Sequence, residues 1–125
     1  VAALADAASS HGPHVSVFAP HPLPELSASV LACGYFFGTE ALTNAAKHAP
    51  GAPVSVLVTS DDSLRITVVD EGPGGAQVVP GHGLAGMAER LAAFGGEMSL
   101  SSPPGGPTRV AGSIPLLLDR GQPGV

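Results

Sequence analysis

Side-chain alternation is the feature that most restricts this chain. Val54, Val56 and Val58 alternate with Ser55, Leu57 and Thr59, and after a turn at residues 60–63 a second run places Leu64, Ile66, Val68 and Asp70 on one side. Period two assigns each apolar set to one face of a strand, so the two runs predict an antiparallel hairpin with a single buried face. That face needs a cover, and the flanking segments offer helices for it. Residues 24–48 carry Leu31, Tyr35, Leu42 and Ala45 or Ala46 at helical spacing and stop at Ala49, Pro50 and Gly51. Leu84, Met87, Ala88, Leu91 and Phe94 repeat at i, i+3, i+4, i+7 and end at Gly95 and Gly96. Residues 1–8 form an Ala-rich helix end, residues 14–18 a short strand, and residues 97–101 and 108–116 two further alternating strands. Helices followed by hairpins, rather than strict strand-helix alternation, predict an α+β fold with helices on one face of a mixed, mainly antiparallel sheet.

A chain of 125 residues holds one such domain, taken here as residues 1–117, with residues 118–125 as a flexible tail. With 44% hydrophobic residues and a formal charge of -5, the composition is that of a soluble globular protein and argues against a nucleic-acid surface. Apolar runs such as residues 29–37 fall short of the roughly 20 residues of a membrane span, and no signal-peptide pattern opens the chain. The expectation is a cytoplasmic domain. The single cysteine, Cys33, has no partner for an internal disulfide and reads as a buried small apolar side chain. The 17 glycines and 13 prolines cluster at residues 72–83 and 103–107, between periodic segments, and therefore read as loops on a rigid scaffold.

Three clusters carry polar chemistry. On the long helix, Glu40, Asn44, Lys47 and His48 are spaced i, i+4, i+7, i+8 and project from one face. A solvated face explains Lys47, whereas a carboxylate and an amide one turn apart suit an Mg²⁺ ion held through oxygen or water. In the second cluster, Asp70 follows Leu64, Ile66 and Val68 on the inward side and precedes Gly72, Pro73, Gly74 and Gly75. A buried carboxylate needs a donor. The exocyclic amine of a ligand base would supply one, with the glycines admitting the backbone close to it; equally, Asp70 could cap a turn. The third cluster, Gly81, His82, Gly83, Leu84, Ala85, Gly86 and Met87, runs a glycine-rich loop into a helix N-terminus, where free N–H groups and the helix dipole favour a phosphate. No P-loop pattern occurs, and the Gly83 and Gly86 spacing does not follow a strand as a dinucleotide fingerprint requires.

In this order the runs TEALTNAAKHA, VVDEGPGG and GHGLAGMAERLAAFGGEMSL resemble the N, G1 and G2 boxes of the GHKL ATP-binding superfamily, in the form found in sensor histidine kinases that signal to NarL-type response regulators. The resemblance extends over about residues 1–116. It implies a two-layer α/β sandwich of the GHKL (Bergerat) type that binds ATP with Mg²⁺. Asn44 would ligate the metal, Glu40 would serve catalysis beside it, and Lys47 and His48 would lie near the phosphates. Asp70 would take the adenine amine, with Gly72 and Gly74 shaping the base site. Gly81, Gly83, Leu84, Gly86 and Met87 would belong to the lid and the helix start around the phosphates, and Thr108 would support the adenine end.

The chain departs from the family pattern at three places. Pro107 replaces a glycine before Thr108 and removes a backbone donor. Gly38 stands in mid-helix, at a cost of about 1 kcal/mol relative to Ala. The lid over residues 75–80 is short.

None of His11, His14, His21, His48 or His82 has the setting of a phosphoacceptor. The resemblance therefore implies a fragment that partners a dimerisation and phosphoacceptor domain of the same parent protein and, through it, a response regulator. It also implies that the fragment alone does not label itself, and that the parent carries a sensor or membrane part upstream. A serine kinase of the anti-sigma-factor type shares the boxes. A second alternative, of another class, is a nucleotide-sensing interaction module without phosphotransfer, against which the full set of Glu40, Asn44 and Asp70 weighs.

Overall fold

The computed structural model describes residues 2–76 and 83–116. Among them the elements run α1 (Ala2–Ser9), β1 (Val15–Phe18), α2 (Ala28–His48), β2 (Val54–Ser60), β3 (Ser63–Asp70), α3 (Gly83–Ala93), β4 (Glu97–Ser101) and β5 (Thr108–Pro115). The strands form one sheet in the order β1-β2-β3-β5-β4, with β1 parallel to β2 and every other pair antiparallel. The helices cover one face, giving the two-layer α+β arrangement that alternation predicts. Residues 117–125, which include the expected tail at 118–125, and residues 77–82, which include most of the expected lid at 75–80, lie outside the described residues.

Alternation is obeyed on the buried side: Val54, Val56 and Val58 of β2, Leu64, Ile66, Val68 and Asp70 of β3, and Thr108, Val110 and Ile114 of β5 all face the helices and are buried. On the opposite side Phe18 and Leu57, which are register partners, stand exposed. The β2–β3 turn is tighter than residues 60–63, because both strands pair up to Ser60 and Leu64 and Ser63 already belongs to β3. There the Asp61 carboxylate accepts from the Ser63 N–H at 2.9 Å.

The long helix differs from its expected form in two ways. It begins at Ala28 rather than near residue 24, because Ser27 in an extended conformation caps it and accepts from the Val30 N–H at 3.2 Å. Its buried face is Val30, Cys33, Phe37, Ala41, Leu42 and Ala45, leaving Leu31 and Tyr35 exposed. Spacing alone allows either stripe on a helix this rich in apolar residues; glycine decides. A methyl on Gly34 would lie 3.1 Å from Leu64 Cδ2, and one on Gly38 would lie 2.6 Å from Leu4 Cδ1. The helix thus turns its smallest side chains towards β3 and α1, and the propensity cost of Gly38 is offset by close packing of Leu4. Cys33 is buried as expected, and that burial pushes its thiol pKa up against a smaller opposite effect of Arg90.

Phe37 is the largest fully buried side chain, and fully burying such a ring is worth about 1.5–3 kcal/mol. It sits over β5 at Gly112, where an added methyl would lie 2.9 Å from ring atoms Cε1 and Cζ and 3.0 Å from Leu91 Cδ1. Phe37 and Leu91 are each 1% exposed, so neither can retreat. Gly112→Ala should therefore destabilise the domain. Overpacking costs roughly 1–3 kcal/mol, more than the roughly 0.5–1 kcal/mol that Ala gains over Gly in a strand. Urea unfolding followed by circular dichroism measures this, and an unchanged or raised midpoint would show that Phe37 is not held as described.

Candidate functional site

A cleft of about 480 Å³ opens between the C-terminal half of α2, the ends of β3 and β5, and the start of α3. Its floor is Val68 and Val110, which continue the core to the surface. Asp70 and Thr108 are the buried polar side chains among the described residues, at 7% and 9% exposed, and they are register partners across β3 and β5. Both line the cleft. Strand parity turns them inward, and the edge of the helical layer leaves them facing the opening instead of the core.

Asp70 has the donor that burial requires. Its Oδ1 accepts from the Gly72 N–H at 3.0 Å, so it caps the turn while still lining the cleft. Gly72 is obligatory there, since any Cβ would collide with the Ala49 side chain just past the end of α2. The next residues are fastened from the other side by the β4–β5 loop. The Gly105 N–H donates to the Pro73 carbonyl at 2.8 Å, and the Gly75 N–H donates to the Ser102 carbonyl at 3.0 Å. Ser102 Oγ accepts from the Ala76 N–H at 2.8 Å and lies 2.6 Å from Thr108 Oγ1. Gly74, at φ +71°, passes so close to Pro103 and Gly106 that no side chain fits.

The helical wall is Ala41, Asn44, Ala45, Lys47 and His48. Asn44 donates through Nδ2 to Met87 Sδ at 3.6 Å, which orients its amide. Lys47 and His48, in the last turn of α2, are exposed at the rim, where the Lys47 charge also suits the helix dipole. Gly83 and Leu84 bring the first turn of α3 to the same wall, and a methyl on Gly83 would lie 3.5 Å from Asn44 Oδ1.

The fold therefore brings together Asn44, Lys47, His48, Asp70, Gly74, Gly83, Leu84 and Thr108 of the residues singled out from sequence. Gly72 and Met87 stand behind the lining and shape it. Glu40, half-buried one turn before Asn44, and Gly86, exposed on α3, do not line the cleft. Gly81 lies outside the described residues. Sequence reasoning missed Ser102 and the β4–β5 clamp, whose only sequence signal is a serine at the start of a Pro/Gly loop. It also missed Arg90, whose guanidinium lies 4.2 Å from the centre of the Phe36 ring and ties α3 to α2.

A five-stranded sheet under helices, with a cleft built at the strand ends from an inward carboxylate, an amide and a helix start, defines a class. The chain belongs to the histidine kinase-, DNA gyrase B-, and HSP90-like ATPase family, whose model matches residues 38–118. Among its relatives, the sensor histidine kinase YxjM of Bacillus subtilis (strain 168) is 33% identical over 79 residues, which is 62% of this chain and 20% of that protein. The chain thus spans about a fifth of that relative's length. The histidine kinase domain of the blue-light activated histidine kinase of Erythrobacter litoralis EL346 has the same fold, with a TM-score of 0.68, 22% identity, and coverage of 90% of this chain and 61% of that one. Full-length ShkA in complex with AMPPNP gives 0.67 at 23% identity, covering 90% of this chain and 29% of that one. The domain is of the ATP-binding kind that histidine kinases carry.

The clamp on the segment after Asp70 makes a direct prediction. Gly74→Ala places a methyl against Pro103 and Gly106 at a positive φ, which by itself costs about 1–3 kcal/mol. Amide hydrogen exchange at Gly75 and Gly105 should then quicken relative to wild type. Unchanged protection at both amides would show that the two loops are not locked together.

Proposed function

We propose that the chain is the ATP-binding catalytic domain of a sensor histidine kinase, holding Mg-ATP in this cleft for transfer of the γ-phosphoryl group to a histidine on a dimerisation domain of the same parent protein. The observation that carries the reading is Asp70: a carboxylate 7% exposed that lines a cleft and whose partner among the described residues is one backbone N–H on one of its oxygens. A base amine is the complementary donor, and Gly72 and Gly74 keep the surrounding backbone close. The AMPPNP bound by ShkA, a protein of the same fold, supports an adenine nucleotide as the occupant. Opposite the base end, the first N–H groups of α3 lack intrahelical partners and suit phosphates, with Lys47 and His48 at the rim.

The residues fit a magnesium ion. Asn44 commits its nitrogen to Met87, which leaves a hard oxygen on the side of the α3 start. An ion of this kind takes one or two protein oxygens and relies on phosphates and water for the rest. Bound there, Mg²⁺ would neutralise phosphate charge; the chain's own residues bind, orient and shield the nucleotide. Glu40, one turn from Asn44, is the catalytic carboxylate in this reading, although it stands outside the cleft lining.

Relatives named as sensor histidine kinases favour this reading over a serine kinase or a sensing module. In the same reading the phosphoryl group passes onward to a NarL-type response regulator, and the domain works in the cytoplasm. Among the described residues no helix is long and apolar enough to cross a membrane.

Two substitutions test the cleft. A hydrogen bond to a charged acceptor is worth about 1.5–3 kcal/mol, so Asp70→Ala should weaken ATP binding roughly ten- to a hundredfold in calorimetric titration with the fold intact. GTP, which presents a carbonyl where ATP presents the amine, should bind wild type poorly. Equal ATP affinity in Asp70→Ala, or equal competition by GTP, would reduce Asp70 to a turn cap. For the metal, Asn44→Ala should weaken ATP binding chiefly when Mg²⁺ is present, and the same loss in EDTA would remove the metal role.

A further inference from the structure

The bond between Ser102 and Thr108 is a contact that neither alternation nor spacing marks, yet it lies directly behind the polar end of the cleft. Ser102 Oγ accepts from the Ala76 N–H at 2.8 Å, and at 2.6 Å from Thr108 Oγ1 the two hydroxyls share a single hydrogen. Either oxygen can be its donor. If Thr108 donates, it offers the cleft lone pairs alone; if Ser102 donates, Thr108 keeps its own hydrogen for the cleft.

Two features select the second arrangement. A hydroxyl that already accepts a hydrogen bond is polarised into a better donor, which favours Ser102 as donor. Across the ladder from Thr108 stands Asp70, and both line the cleft; the negative charge of the carboxylate favours turning the Thr108 hydrogen, rather than its lone pairs, to that side. We infer that Ser102 is a positioning residue for nucleotide selection: it donates to Thr108 and thereby sets Thr108 as a hydrogen-bond donor beside the acceptor Asp70.

An acceptor and a donor side by side form a pattern with a complement. Adenine presents an exocyclic amine next to an unprotonated ring nitrogen, which is donor then acceptor. Guanine presents a carbonyl next to a ring N–H, the reverse. Ser102 therefore contributes to the exclusion of guanine without touching the ligand. At the same time its bond to Ala76 fastens the segment that lines the cleft beside Gly75. The inference rests on the adenine-nucleotide reading of the cleft and deepens it.

The test titrates ATP and GTP into the 125-residue chain as wild type, Ser102→Ala, Ser102→Thr, Thr108→Val and the Ser102→Ala/Thr108→Val double variant, each first checked for its fold by circular dichroism. Ser102→Ala should weaken ATP binding about 2- to 12-fold, the span of one neutral hydrogen bond, and weaken GTP less, because a freed Thr108 hydroxyl can turn its lone pair to the guanine N–H. The ATP-to-GTP preference falls accordingly. Ser102→Thr, which keeps the hydroxyl, should retain the wild-type preference, and in the Thr108→Val background Ser102→Ala should change the preference no further.

If Ser102→Ala loses the fold, Ser102→Cys, with its weaker donor, replaces it in the same comparison. Equal loss for both nucleotides would make Ser102 a structural anchor and overturn the inference while leaving the adenine reading standing. Wild type that binds neither nucleotide would overturn the adenine reading, and this inference with it.

Discussion

The antiparallel ladder between β3 and β5 is the constraint on which the rest of this domain depends. Its register runs from Ser63 opposite Pro115 to Asp70 opposite Thr108, and a slip by one residue would turn every inward side chain to solvent. Because both strands lie inside the sheet, their inward residues form the floor on which α2 rests. Phe37 seats into the gap that Gly112 leaves, and this contact sets the position of α2 over the sheet. Asn44, two turns further along the same helix, is carried to the cleft by that seating. Parity and register thus place Asp70 and Thr108, and packing places the amide that faces them.

Polar groups at the cleft are satisfied locally and sparingly. Asp70 has its Gly72 N–H, Thr108 has Ser102, and the loop amides of Gly75, Ala76 and Gly105 find partners across two loops. A buried donor or acceptor left without a partner costs about 1–3 kcal/mol, so a site of this type retains only the unpaired capacity that a ligand fills. Among the described residues, the carboxylate oxygen that does not hold Gly72 and the oxygen of Asn44 take no hydrogen bond. The rigidity of the arrangement comes from glycine: positions 74 and 106 bring backbone against backbone, and position 72 lies against the Ala49 side chain, more closely than any side chain permits.

The wall formed by α3 is held differently. Asn44 meets the sulfur of Met87, and Arg90 lies over the ring of Phe36, so the helices are joined by a thioether and an aromatic face in addition to the buried Leu91. These contacts are less directional than the hydrogen bonds that lock the β4–β5 loop to residues 73–76. The Asp70 end of the cleft is thus held by directional hydrogen bonds between loops, and the end formed by the start of α3 by a thioether and an aromatic contact.

Much of the architecture is legible in the chain itself. Strand alternation at residues 54–58, 64–70 and 108–114 reads directly as strands with a known inward face, because period two leaves no choice once one face is apolar. For the same reason alternation by itself marks Asp70 and Thr108 as inward polar residues. Family likeness extends this to Asn44, Gly74 and the start of α3. The face of α2 is a different matter. A helix with apolar residues nearly all round carries no unique stripe, and only contact with Leu4, Leu64 and β5 shows that Gly34, Phe37 and Gly38 are buried while Leu31 and Tyr35 are not. The start of that helix and the roles of Ser102 and Arg90 are equally hidden, since each depends on partners that sequence distance does not reveal. Local periodicity is written into consecutive residues and is therefore determined by sequence alone; which groups complete one another's hydrogen bonds across loops is decided only when the tertiary structure brings distant segments into hydrogen-bond reach, as it does for Ala76, Ser102 and Thr108.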